Sequence, residues 1–234
     1  MVQYDKNILF TNILRSRSRE FFPVDDTLIY LGQQLGHRPQ VLRGLYKTLH
    51  GKTSVYQYTP PIGSALTCQF DYEKGRVHLV FTKVDREFSL SDFQDFLGII
   101  DSVYSPIYPI GTVVELDLAL LPDELETSFG EEPGPLFSIT GRKVGLGEGF
   151  EDYIVDYLGR LWPFGEMPAS HPVMISNMMI ERVRFEGYSD EWESRFSEDI
   201  LRASQLSRQQ VSTAFMRSSD LARYYDFSIQ SGGE

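Results

Sequence analysis

Between Ile107 and Phe196 the chain is a string of short β-branched and aromatic runs, each closed by Gly, Pro or Asp. The runs read Ile-Tyr-Pro-Ile-Gly-Thr-Val-Val-Glu-Leu, Phe-Ser-Ile-Thr-Gly-Arg, Asp-Tyr-Ile-Val-Asp-Tyr, Leu-Trp-Pro-Phe-Gly and Ile-Glu-Arg-Val-Arg-Phe-Glu-Gly-Tyr-Ser-Asp. Short runs with that punctuation are strands and turns. Asp152 to Leu158 reads as one strand, broken by Gly159, and Leu161 to Gly165 as a tight aromatic turn. Val173 to Phe185 supplies one or two more strands, or a short helix at Ser176 to Ile180. Ser189 then caps a helix with Asp190, Glu191 and Glu193 in its positive first turn. Trp192, Phe196 and Ile200 fall four apart, so that helix can dock one face onto the strands.

The stretch before residue 105 is written differently. Ile8, Leu9, Phe10, Ile13 and Leu14 give a short helix or arm with one apolar side. Asp25 or Asp26 caps a helix ending near Gly36, and Pro39 opens a second that stops at His50-Gly51, a helical hairpin with one shared apolar face. The period then becomes alternating at Ser54 to Thr59, Ser64 to Asp71 and Arg76 to Thr82, with a turn at Tyr72-Glu73-Lys74-Gly75. A Ser91-x-x-Gln94 capping box precedes the apolar stripe of Phe93, Phe96, Leu97, Ile100 and Val103. Ser105-Pro106 marks the expected boundary between two α+β modules, residues 1–105 and 106–234. Each is a small, mostly antiparallel sheet packed with helices. At the far end, Ser207 to Tyr225 reads as a further helix with a Ser207-x-x-Gln210 box.

Charge narrows the partners. The net charge of −11 argues against nucleic acid, which needs a basic surface. Much of it is local: between Glu115 and Asp152 ten acids face two bases, Arg142 and Lys143. Such a patch is either solvated surface or a field that steers a basic partner. No apolar run approaches the about 18 residues of a membrane span, and Met-Val-Gln-Tyr-Asp-Lys-Asn lacks the basic-then-apolar order of a secretion signal. A cytoplasmic location without membrane insertion is expected.

Catalytic patterns are weak. His37, His50, His78 and His171 stand far apart, and Cys68 sits singly in an alternating run, so neither a metal motif nor a nucleophile with its base is written. Gly145-Leu146-Gly147-Glu148-Gly149 is followed by a strand, not by the helix a phosphate loop needs, and reads as a hairpin connection. Glu131-Glu132 and Glu151-Asp152 sit in polar loops that do not desolvate a carboxyl. No cofactor, metal or catalytic residue is expected.

The aromatics Trp162, Phe164, Tyr188, Trp192 and Phe196 admit two readings: core plus turn plugs, or exposed anchors beside an acidic rim. On the second reading the protein-binding set is Trp162, Pro163, Phe164 and Tyr188, with Glu124, Glu126, Glu131 and Glu132 of the acidic loop. Trp162-Pro163-Phe164-Gly165 leads that set.

The order of short motifs resembles a bacterial family, domain of unknown function 4176, over roughly residues 107 to 200. The matching pieces are Pro-Ile-Gly-Thr-Val-Val, Ile-x-Gly-Arg, the Asp-Tyr strand, a Trp-Pro-x-Gly turn where the family tends to show Tyr-Pro-x-Gly, and Val-x-Phe-x-Gly-Tyr-x-Asp with Phe196 beyond. The acidic insertion at 122–135 and the first hundred residues depart from it. The resemblance implies a cytoplasmic accessory protein encoded beside toxins of the type VII secretion system of Gram-positive bacteria. It implies a non-enzymatic adaptor or chaperone that binds such a toxin before export, and it carries over no catalytic residue. An immunity protein that neutralises the toxin is the alternative; an enzyme with a site assembled only by folding is the lesser one.

Overall fold

Asp25 starts the helical hairpin as its sequence suggests, its carboxylate accepting the Leu28 amide at 2.8 Å. The computed structural model describes residues 5–17, 23–121, 134–168 and 171–231, with 225–231 in backbone only. The chain divides into two compact units, Met1–Ser105 and Pro106–Glu234, and the fold is α+β.

In the first unit α1 (Lys6–Arg17), α2 (Asp26–Gly36) and α3 (Pro39–His50) precede a four-stranded antiparallel sheet. Its strands β1 (Val55–Tyr58), β2 (Leu66–Asp71), β3 (Arg76–Phe81) and β4 (Val84–Ser89) lie in sequence order. Alternation puts Leu66, Cys68, Phe70, Val77, Leu79, Phe81, Val84 and Phe88 on the buried side. There α4 (Leu90–Tyr104) packs, burying Phe93, Phe96, Leu97, Ile99, Ile100 and Val103. Two details differ from the sequence reading. The strand β4 is not evident in the sequence because it is an edge strand whose outward residues are charged, Asp85 and Glu87. It also runs straight into α4, so the cap is Ser89, whose hydroxyl accepts the Asp92 amide at 3.0 Å, and not Ser91. Burial pushes the Cys68 thiol up, which makes it a packing group and not a thiolate nucleophile.

The second unit is a six-stranded sheet of β5 (Val113–Leu116), β6 (Leu136–Gly145), β7 (Tyr153–Leu161), β8 (Val173–Ile175), β9 (Ile180–Phe185) and β10 (Val211–Ser212). The order is β10-β7-β6-β5-β9, with β8 also on β7; every pair is antiparallel except β10 with β7. Val114, Leu116, Phe137, Ile139, Tyr157, Ile175 and Ile180 form its core. Gly159 does not break β7. A Cβ there would come within 2.5 Å of Ile175 Cδ1, so the glycine admits β8 close against the strand. The Val173–Phe185 stretch resolves into β8, a 3-10 turn at Asn177–Met179, and β9.

Beyond β9, α5 (Glu191–Arg195) passes through a wider π-type segment, Phe196–Arg202, into α6 (Ala203–Ser207), with helical backbone at both junctions. We call this continuous element the rod. Its cap is Asp190, accepting the Glu193 amide at 2.9 Å, one residue after the expected Ser189. The expected helix from Ser207 does not start there: Ser207 ends α6, and Gln210 instead donates to Glu151 O at 2.7 Å. Buried Val211 and Phe215 lead on to α7 (Ser218–Ser231). Tyr153 donates to Asp220 at 2.6 Å, and the Tyr224 ring meets Phe150 edge-on, so this helix docks at the start of β7.

Candidate functional site

On β6 the neighbours Arg142 and Lys143 reach different partners, with Lys143 at a left-handed φ of 48° within the strand. Lys143 Nζ lies 2.8 Å from Asp156 Oδ1, with both side chains nearly inaccessible. The second oxygen of Asp156 accepts the Ser212 hydroxyl at 2.6 Å and the Asn177 amide at 3.1 Å. This buried carboxylate ties β6, β7, β10 and the 3-10 turn together, and every bond is charge-assisted. Nearby, the Tyr157 hydroxyl accepts the Tyr108 amide at 3.1 Å and lies 2.9 Å from Pro106 O and 3.0 Å from Asn177 Oδ1.

Arg142 faces the rod. Its guanidinium forks onto the Glu193 carboxylate, one arm at 3.1 Å, and also donates to Ser197 Oγ at 3.1 Å. Ser197 in turn donates to Glu193 at 2.7 Å. Burial alone raises the Glu193 carboxyl, but the Arg142 and Ser197 hydrogen bonds and the guanidinium charge outweigh it and hold the group below its ordinary range. One turn on, buried Arg202 forks onto Glu198 at 2.6 and 3.0 Å. The inward side of the rod is therefore largely polar: Glu193, Ser197, Arg202 and Gln205, with Leu206 at its end.

Its apolar side is left outside. Trp192 is 77% exposed, and Phe196 and Ile200 about half, so the face expected to dock onto the strands is turned to solvent. The Arg142 guanidinium lies 5.7 Å over the Phe196 ring, and Arg195 lies 5.7 Å over Trp192. The strand exit that delivers the rod adds Phe185, 64% exposed, and Tyr188, 82% exposed. Gly187 sets that exit: its amide donates to Thr112 Oγ1 at 3.0 Å, and a Cβ would stand 2.3 Å from Ile110 O. Between 186 and 200 six carboxylates face one base, Arg195. With Glu193 and Glu198 paired, exposed Glu186, Asp190, Glu191 and Asp199 rim the apolar residues. Large apolar residues framed by charge on an otherwise polar element are the composition of a docking surface.

Of the residues singled out by sequence, Trp162, Pro163 and Phe164 sit together on the turn after β7, with Trp162 partly exposed and Phe164 well exposed. The Trp162 amide donates to Leu136 O at 2.9 Å, placing the turn at the end of the sheet where β5 finishes, since Leu136 pairs with Glu115. Tyr188 lies at the other end, beside Ile110–Thr112 where β5 begins, so the sheet separates it from the turn. Glu124, Glu126, Glu131 and Glu132 lie outside the described residues. Trp192, Phe196 and Ile200 were legible as a stripe; the signal for its outward direction was the Glu193 and Ser197 positions beside it, which need a polar partner such as Arg142.

His37 contacts Asn7 Oδ1 at 2.9 Å, His78 contacts Asp85 at 2.6 Å and His50 stacks on Tyr46. Among the described residues no three His, Cys, Asp or Glu side chains gather as metal ligands would, and no helix is long and apolar enough to cross a membrane. The Gly145–Gly149 loop joins β6 to β7, with Gly147 and Gly149 at positive φ and the Glu151 carboxylate accepting the Gly149 amide at 2.9 Å.

No curated protein and no solved structure matches the chain. Residues 136–196 match the family model described as domain of unknown function (DUF4176). The match takes in the Ile-x-Gly-Arg strand, the Trp-Pro-x-Gly turn and the Gly-Tyr exit, and leaves the Pro-Ile-Gly-Thr-Val-Val opening outside it. The stretch of the second unit that is similar to this family runs from the start of β6 to the exposed Phe196.

Proposed function

We propose that the protein is a non-enzymatic adaptor or chaperone that binds another polypeptide through the surface formed by residues 185–200. The observation that carries this reading is the orientation of the rod: Glu193 and Ser197 face inward, and Trp192, Phe196 and Ile200 face solvent. Exposing large apolar side chains costs stability in an isolated chain, about 1.5–3 kcal/mol of unrealised burial for each fully exposed one, and a partner recovers it. The partner in this proposal follows what the motif resemblance implies: a toxin of the type VII secretion system encoded beside this protein and bound in the cytoplasm before export. Co-expression with the neighbouring toxin followed by size exclusion tests it: a stable complex lost on Trp192→Ala/Phe196→Ala is the expected result, and separate elution of the wild-type proteins refutes it.

The exposed carboxylates around the strip favour a second reading, an immunity protein that covers a basic toxin domain. Growth separates the two. An immunity protein rescues cells that express the toxin domain alone, whereas a chaperone changes the toxin's solubility or export.

A further inference from the structure

Resting on the docking reading, we infer that the strip takes a basic amphipathic helix of the partner, in contact over about two turns.

Three observations lead to this occupant. The first is backbone chemistry. An extended segment is recognised by main-chain hydrogen bonds to an open sheet edge, whereas the rod uses its amides and carbonyls in its own helical bonds and offers side chains alone. The second is shape. Trp192, Phe196 and Ile200 recur every four residues and form a ridge, the surface that interleaves with the ridges of another helix. From Trp192 to Ile200 the ridge rises roughly 12 Å, which matches about two turns of an opposing helix.

The third observation is charge. Glu186, Asp190, Glu191 and Asp199 are exposed beside the ridge, and the one base of the stretch, Arg195, is stacked on Trp192. A partner helix with Lys or Arg flanking its apolar seam meets those carboxylates as the seam closes on Trp192 and Phe196. An acidic helix of the same shape meets like charge and is rejected. The partner face is therefore read twice, by apolar spacing and by the sign of its flanks.

Panning a library of randomised 20-residue peptides on the full-length protein tests the assignment. The expected outcome is enrichment of peptides with large apolar residues three or four apart and Lys or Arg on both flanks. Their binding should weaken roughly tenfold or more against Trp192→Ala/Phe196→Ala and against Glu191→Lys/Asp199→Lys. Enrichment of strictly alternating sequences, of acidic flanks, or of peptides that bind the charge-reversed variant equally well overturns the helix assignment. If the toxin still depends on Trp192 in that case, the docking surface stands and the occupant is wrong. If the toxin binds the Trp192→Ala/Phe196→Ala variant as tightly as the native protein, the docking surface itself falls.

Discussion

Arg142 and Lys143 are adjacent, both cationic, and tied to unlike tasks. Lys143 balances a carboxylate that water does not reach, since the Lys143 and Asp156 side chains are 3% and 0% exposed. Removing one partner of such a pair strands the other as a buried charge. Lys143→Met is expected to destabilise the second unit by about 3–5 kcal/mol, read as a lowered urea midpoint. Arg142 instead sets the attitude of the rod through Glu193, whose folded-state carboxyl titrates below its ordinary 4.5. A depressed carboxyl contributes stability that is fully present above the unfolded value and is lost as pH falls through the folded one. The rod should therefore loosen as acid is added below about pH 4.5, and Glu193→Gln should flatten that dependence. Amide exchange along 191–202 followed against pH checks both. Neither pairing was legible in the sequence. Lys143 and Asp156 are thirteen positions apart, Arg142 and Glu193 fifty-one, and nothing local says that the acidic stretch and its two bases divide in this way.

At the scale of elements the strands were the legible part. Alternation and turn residues mark β2, β3, β6 and β7, while β4 escaped because its outward positions are charged. Gly159 misled because a glycine in a strand signals a break or a close approach equally well, and what decides is Ile175, sixteen residues on. Gly187 is the stricter case, since its neighbours are backbone atoms that cannot rotate away. Gly187→Ala is predicted to cost about 2 kcal/mol and to disturb the approach to the rod, measured by thermal melting together with partner affinity. The rod itself shows what periodicity leaves open. A four-residue apolar stripe defines a face but not its direction, and here a buried guanidinium holds the polar side inward. Exposed side chains contribute little to folding, so Trp192→Ala and Phe196→Ala should leave stability within about 0.5 kcal/mol of the native protein. The same substitutions should weaken partner binding by at least tenfold.

The whole molecule joins an N-terminal unit built on α4 and a four-stranded sheet to a second unit whose residues 136–196 match the DUF4176 model. Each unit has its own buried apolar core. Urea unfolding followed by amide exchange is expected to resolve separate protection for residues 23–105 and 134–216; one common exchange rate in both would show that they unfold as one. The sequence pointed to two modules because Ser105-Pro106 interrupts the apolar stripe of α4, and the order of its motifs pointed to the family whose model matches residues 136–196. The outward apolar face of the rod escaped it, since its direction depends on which side of one helix finds a partner within the second unit. Titration calorimetry of the proposed toxin partner into the native protein and into Trp192→Ala/Phe196→Ala addresses that face most directly. The expected result is a heat of binding that the double substitution abolishes while the variant's melting temperature stays unchanged; equal affinity for both proteins would rule out the rod as the docking surface.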